Sequence, residues 1–334
     1  MEWLVFLPIL ISLFLVVWVM PKWISKCRQT GLLWEDMNKP GHPKNVASSG
    51  GIVVVMSFII GVLFYVAFRT FFRGDMNGTS VEIFSLLSMI LILSIVGLTD
   101  DLLGWKHGGL SKRLRLALAF TAAIPLVVIN AGQHFVSIPF IGPVDFGILY
   151  TLIIIPLGIA GATTTYNFLA GFNGLEAGLG IITLTFLSFV AYATGTPWLA
   201  LVGLTMVAAL IGFYIYNKVP ARVFPGDILT YSIGALIAGM AILGNFEKIA
   251  VFVFIPFILE VILKARGGLK KHSFGLPQKD GSLKMPYDKI YGLTHLSIFI
   301  LSKFKKKVYE KDVVYFIFAI EILVCLAALL LFML

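Results

Sequence analysis

Residues 163–180 read TTTYNFLAGFNGLEAGLG. Apolar runs lie on both sides of this stretch, near 148–166 and 177–193, and between them Asn167, Asn173 and Glu176 are set among small residues. Backbone that leaves a helix at membrane depth is tolerated only where protein or a water-filled cavity satisfies it, and ionisable groups there are functional candidates. The same residues also read as a plain helix end punctuated by Asn and Gly. Two further acidic segments, described below, favour the chemical reading.

The surrounding composition sets the class. Of the 334 residues, 59% are hydrophobic and 13% charged, and the mean hydropathy is +0.95. Soluble globular chains carry about 45–50% apolar and about 25% charged residues. An all-α, polytopic integral membrane protein is therefore expected. A span needs ~20 apolar residues, and about ten such runs can be placed, near 2–20, 50–69, 81–99, 114–131, 148–166, 177–193, 197–216, 228–244, 249–264 and 312–333. The first lacks a basic leader and is followed by Pro21-Lys22 rather than a cleavage site, so it reads as a span. With the N-terminus outside, every Lys and Arg except Arg69, Arg73 and Lys248 falls on the inner side, a strong positive-inside bias that places both termini outward. The sequon Asn77-Gly78-Thr79 falls on an outer loop. The net charge of +9 is thus accounted for by topology, without nucleic acid. Cys27 and Cys325 offer no disulfide framework. One membrane domain, 1–334, is expected. Its inner loop 264–311 is long enough to act as a lid and is rich in turn residues (Gly267, Gly268, Pro277, Gly281, Pro286) that argue for turns and extended segments.

Polar residues converge on the inner face in this topology. Asp100 and Asp101 end the third run and are followed by Lys106, His107, Lys112, Arg113 and Arg115. Adjacent carboxylates beside cations suit a divalent ion with phosphate, although a solvated charged loop has the same composition. Asp227 follows Arg222-Val223-Phe224-Pro225-Gly226 and opens the eighth run, where it also suits a helix cap. Lys270, Lys271 and His272 add cations in the inner loop, suited either to a diphosphate or to anionic lipid. A transporter or lipid flippase has similar composition but more often places such groups near the bilayer midplane.

Together these residues resemble the polyprenyl-phosphate N-acetylhexosamine-1-phosphate transferases, and most closely the dolichyl-phosphate GlcNAc-1-phosphate branch of eukaryotes and archaea. The resemblance rests on Asn167 to Gly178 (NFLAGFNGLEAG), Asp36-Met37-Asn38-Lys39, Asp100-Asp101, Arg222-Val223-Phe224 with Gly226-Asp227, and Leu283-Lys284-Met285 with Pro286-Tyr287. It implies a Mg²⁺-dependent enzyme, with Mn²⁺ as an alternative ion, that transfers GlcNAc-1-phosphate from UDP-GlcNAc to dolichyl or another polyprenyl phosphate. That would be the first membrane step of lipid-linked oligosaccharide synthesis for N-glycosylation. It further implies catalytic Asp100 and Asp101, and metal ligands Asn167 and Asp227. Nucleotide-sugar contacts would come from Asp36, Met37, Asn173, Glu176, Lys271, His272 and Ser273, and lipid-phosphate contacts from Lys112 and Arg113. Membrane lipids and a homodimer are the other partners, with the active site cytoplasmic, at the cell membrane of a prokaryote or archaeon or the endoplasmic reticulum of a eukaryote. The family's basic triplet is Arg-His-Arg, so Ser273 departs from it; Ala47 stands where the eukaryotic enzyme carries a Glu. Both departures touch the choice of sugar more than the reaction, and leave another UDP-N-acetylhexosamine as the alternative donor.

Overall fold

A computed structural model describes residues 6–73, 78–138 and 142–333. Asn77 of the sequon lies outside these residues, as do the side chains of Lys106 and His107. The order of elements is α1 (Leu7–Thr30), the hairpin β1 (Leu33–Glu35) and β2 (Lys44–Ala47), α2 (Gly51–Phe68), α3 (Gly78–His107), α4 (Lys112–Thr121), α5 (Ile124–Val128), and the hairpin β3 (Phe135–Ile138) and β4 (Gly142–Asp145). There follow α6 (Ile155–Phe168), α7 (Leu175–Ala193), α8 (Pro197–Asn217), α9 (Asp227–Leu243), α10 (Glu247–Val253), α11 (Ile255–Arg266), the hairpin β5 (Leu276–Pro277) and β6 (Leu283–Lys284), α12 (Leu293–Phe304) and α13 (Glu310–Phe332).

The protein is a multi-pass, mostly helical membrane protein. Among the described residues seven helices are long and apolar enough to cross a membrane, with α1, α2, α3, α6, α7, α8 and α13 at their centres. The other three expected runs take shorter forms. The run 114–131 divides into α4 and α5 around Pro125, and the run 249–264 divides into α10 and α11 around Pro256; both prolines occupy first-turn positions, where the missing N–H costs nothing. The third, α9, spans 17 residues and is buried from Ile228 to Leu243.

That buried helix is the axis of the bundle. Lipid tails are as apolar as leucine, so helices in a membrane associate by close packing of small residues. A Cβ at Gly97 of α3 would lie 2.6 Å from the Asp227 carbonyl, and one at Gly234 of α9 would lie 2.7 Å from the Thr163 backbone of α6. Both glycines let backbones touch, and the Ser94 and Ser232 hydroxyls meet at 2.7 Å across the α3–α9 contact. The end of the bundle where α9 begins is stitched by backbone. Strand β2 continues into a parallel bridge between Ala47 and Val223, extended where Gly50 and Gly51 donate to the Phe224 and Pro225 carbonyls at 2.9 Å. This fixes the 222–226 turn over the N-terminal end of α9.

In the inner loop, turns and a short β5–β6 hairpin form as expected, but residues 293–304 fold as α12, an element the turn residues upstream did not announce.

Candidate functional site

A cavity of about 880 Å³ opens at the end of the bundle where α9 begins. Its lining includes Asp36, Met37, Asp101, Asn167, Glu176, Asp227, Lys264, Lys271, His272 and Ser273. Residues separated by more than 200 positions in sequence thus share one wall system.

The acidic side is built on the start of α9. Asp101 accepts the N–H of Asp227 at 2.7 Å on Oδ1 and that of Ile228 at 3.4 Å on Oδ2, so its carboxylate caps α9 from across the α3 contact. A carboxylate at a helix N-terminus also meets the positive end of the helix dipole. The cap requires Gly226, whose φ is +73° and whose Cβ would fall 2.2 Å from Asp101 Oδ2. Asn167, in the last turn of α6, donates through Nδ2 to Asp227 Oδ1 and to Thr230 Oγ1, each at 2.8 Å. Arg115 donates from one guanidinium nitrogen to Asp100 Oδ2 at 2.8 Å and to Asp227 Oδ2 at 3.2 Å. Asp100 also accepts the Leu110 N–H. The neighbouring aspartates therefore face different partners, Asp101 the backbone of α9 and Asp100 a cation.

Of the cations expected on α4, neither Lys112 nor Arg113 reaches this cluster. Both are exposed, and Lys112 Nζ donates to the Leu269 carbonyl at 3.0 Å. The group brought to the carboxylates is Arg115, one turn further on. Ser111 sets that phase: its Oγ accepts the Leu114 N–H at 3.3 Å and starts α4 at Lys112.

The opposite wall is a buried polar network. Asn173 donates to Asp36 Oδ2 at 2.9 Å, while its own N–H donates to Glu310 Oε1 at 2.8 Å. Asn38 donates to the Gly171 carbonyl at 2.9 Å and accepts the Gly275 N–H at 3.1 Å. Lys39 pairs with Glu310. Glu176 accepts the Gly171 N–H at 2.7 Å on Oε1. Glu310, from the first turn of α13, is the member that the sequence did not single out; it sits among lysines there and resembles part of a solvated loop.

The 264–311 segment joins the walls. Ser273 is buried, and its carbonyl accepts the Thr294 hydroxyl at 2.6 Å, so α12 holds this edge. His272 is exposed and stacks on Phe274 at 6.2 Å. Lys271 lies 4.6 Å from the Tyr287 ring centroid. Lys264 donates to the Phe168 carbonyl and lies 3.5 Å from Glu260 Oε1. His295 is buried, which pushes its imidazole below its ordinary pKa and keeps it neutral. Ala47 is fully buried in the bridge to Val223 and does not line the cavity.

A divalent ion has suitable donors here. Asp227 and Thr230 at the start of α9 carry hard oxygens of the kind Mg²⁺ takes, and Asn167 at the end of α6 meets both through its amide nitrogen, so its own oxygen reaches the same place once the amide turns over. No group of three or more His, Cys, Asp or Glu is gathered to hold a metal among the described residues. Mg²⁺ typically uses only one or two carboxylates, with substrate phosphates completing its shell.

The profile of glycosyl transferase family 4 matches residues 83–245. A protein of Saccharolobus solfataricus that carries the provisional name UDP-N-acetylglucosamine–dolichyl-phosphate N-acetylglucosaminephosphotransferase is 34% identical, across 98% of this chain and 96% of its own. The Dictyostelium discoideum protein named for the same transfer is 29% identical over 78% of this chain and 69% of its own. A phospho-N-acetylmuramoyl-pentapeptide-transferase of Shouchella clausii is 31% identical over 78% of this chain and 81% of its own.

Proposed function

The chain belongs to glycosyl transferase family 4, and from that premise we propose that it transfers GlcNAc-1-phosphate from UDP-GlcNAc to dolichyl or another polyprenyl phosphate. The products are GlcNAc-diphospho-lipid and UMP. The observation that carries this reading is the convergence of Asp101, Asn167, Asp227, Asp36 and Glu176 on one cavity, with Arg115 (itself paired to Asp100) and Asn173 bonded to residues of its lining.

A lipid phosphate oxygen attacks the β-phosphorus of the donor in line, a P–O bond forms, and the bond to the α-phosphate oxygen breaks with its electron pair leaving on UMP. The sugar C1–O bond is untouched, so the anomeric configuration is retained. Two anions must be aligned and their charge offset, which fixed cations and a metal accomplish. Asp227 and, with its amide turned over from the bond to Asp227, the Asn167 oxygen would hold Mg²⁺, or Mn²⁺ in its place, whose chemistry is to neutralise charge on the donor diphosphate. Asp101 fixes Asp227 by capping α9. Arg115 offsets Asp100 and Asp227 and presents a cation to the lipid phosphate from the α4 side, in the place the sequence reading gave to Lys112 and Arg113. Asp36, Met37 and Glu176 form the nucleotide-sugar wall, with Asn173 bonded to Asp36, and Lys271, His272 and Ser273 form its lid edge. We further take 1–334 as one membrane domain, with about ten spans, both termini outside and the cavity cytoplasmic, in the cell membrane of a prokaryote or archaeon, and as a homodimer.

The decisive assay is UMP release by purified protein from a panel of UDP-sugars with one polyprenyl phosphate at fixed Mg²⁺. UDP-GlcNAc is the expected donor; turnover of a different UDP-N-acetylhexosamine alone would replace the donor, and no UMP from any sugar would end the transferase reading. Asp227→Asn keeps volume but removes the charged ligand, so turnover falls on the order of 10²-fold or more. Labelling of a cysteine substituted at Asp280 from outside intact cells would reverse the topology.

A further inference from the structure

Between α12 and α13 runs Lys303-Phe304-Lys305-Lys306-Lys307-Val308-Tyr309, with Lys311 just beyond. The transferase reading gives this strip no task. All five lysines are exposed, and Phe304 is 82% exposed. Lys303 lies 4.5 Å from the ring centroid of Phe299, itself exposed, so the tip of α12 is both basic and aromatic.

Its position is fixed at the membrane surface. Lys305 Nζ pairs with Asp312 Oδ1 at 2.8 Å, and Asp312 lies in the first turn of α13, a helix long and apolar enough to cross the bilayer. That helix exposes Tyr315, Leu323, Leu326 and Leu330, which places it on the lipid-facing periphery. Aromatic rings settle at headgroup level, and lysines beside them are attracted to anionic lipid. Among the described residues two of the five lysines are paired, with Asp312 and Asp280, while Glu310 is taken by Lys39, and the strip keeps a positive excess.

The strip is also bonded into the lid. Leu283 N–H of β6 donates to the Val308 carbonyl at 2.7 Å, Ser282 and Tyr309 form an antiparallel bridge, and Lys307 meets Asp280 at 2.7 Å. Strand β5 follows directly from Phe274 and Gly275, which line the cavity.

We propose that residues 303–311 dock on anionic phospholipid headgroups and that this contact holds the lid hairpin over the donor cavity. The lipid contact stands by itself; its effect on turnover rests on the transferase reading.

The full-length protein is placed in lipid discs of phosphatidylcholine alone or mixed with phosphatidylglycerol. A triple variant, Lys303→Gln, Lys306→Gln and Lys311→Gln, leaves the two ion-paired lysines and the lid bonds in place. Phe304→Cys carries a bimane label, specific because Cys27 and Cys325 are buried. Bimane emission should shift to the blue with phosphatidylglycerol, revert in high salt, and not shift in the triple-variant background. At about 1 kcal/mol per lysine near an anionic surface, each lysine removed weakens the contact about 5-fold. UMP release should rise several-fold with phosphatidylglycerol in the parent and stay flat in the triple variant, at equal rates in phosphatidylcholine. Equal emission in both discs, or a triple variant that responds as the parent does, overturns the docking surface. The expected shift with lipid-independent turnover overturns the coupling to the lid. The expected shift from a parent that releases no UMP supports the docking surface and sinks the transferase reading instead.

Discussion

Replacing Asp101 by Asn tests whether the second aspartate of the pair holds the site together or reacts in it. Its Oδ1 takes the Asp227 N–H at 2.7 Å and its Oδ2 the weaker Ile228 N–H at 3.4 Å. Hydrogen bonds to a charged group contribute about 1.5–3 kcal/mol, against about 1 kcal/mol for neutral pairs. An Asn keeps one acceptor for the short bond but turns an amide N–H toward Ile228. The loss is then ~1 kcal/mol of charge assistance plus ~0.5–1 kcal/mol of helix-dipole interaction, about 2 kcal/mol in all. At about 1.4 °C per kcal/mol for a chain of 334 residues, the unfolding midpoint of the purified protein should fall by about 3 °C. Asp100→Asn should differ. Arg115 retains Asp227 at 3.2 Å, so the midpoint moves little while turnover collapses. Thermal unfolding of both variants, run beside UMP release, separates the roles. If Asp101→Asn leaves the midpoint within about 1 °C while abolishing turnover, its carboxylate acts on the reactants and the capping argument is wrong.

Arg115→Met should lower turnover on the order of 10²-fold, with Arg115→Lys intermediate because a point charge replaces a fork; a steady-state comparison at saturating donor checks this. Glu310→Gln keeps an acceptor for Asn173 but removes the nearer carboxylate of Lys39 and leaves it only Asp36 at 4.0 Å, so KM for the nucleotide sugar should rise about 10-fold, with ~1.4 kcal/mol lost. Adding Lys39→Met should recover part of that loss, and strict additivity of the two changes would refute the coupling. Gly97→Ala drives a methyl onto the Asp227 carbonyl and should cost about 1–3 kcal/mol. Gly158→Ala in α6, where a Cβ meets nothing within 4 Å, should be neutral or gain up to about 1 kcal/mol. Thermal unfolding of the pair reads both.

Much of this fold was legible because the bilayer demands long apolar segments, and a polar break such as Asn167 to Glu176 stands out against them. The breaks at Pro125 and Pro256 were also written in the chain, yet a count of apolar residues passes over them, and the runs 114–131 and 249–264 looked continuous. Helix α12 was hidden by the turn residues before it and the lysines after it. In the site, identity was easier to read than phase. The aspartates and Asn167 could be named, but which α4 cation turns inward depends on where that helix starts. Ser111 carried that signal, and only the observed cap shows that it was used. The divergence of Asp100 and Asp101 could not be read at all, since it depends on α3 and α9 meeting backbone to backbone at Gly97. Glu310 was missed for a similar reason: its partners Asn38, Lys39 and Asn173 lie more than 130 residues away.

That distance sets an order of events during biosynthesis. The acidic cluster draws on nothing beyond the first turns of α9, so its parts are all in place before the final helix leaves the ribosome. The wall around Asn173 and Lys39 waits for Glu310 at the start of the final helix. A chain shortened before α13 would keep the groups proposed to hold the metal and lack the carboxylate that joins the opposite wall, so nascent protein would stay unable to grip nucleotide sugar until its last helix is inserted.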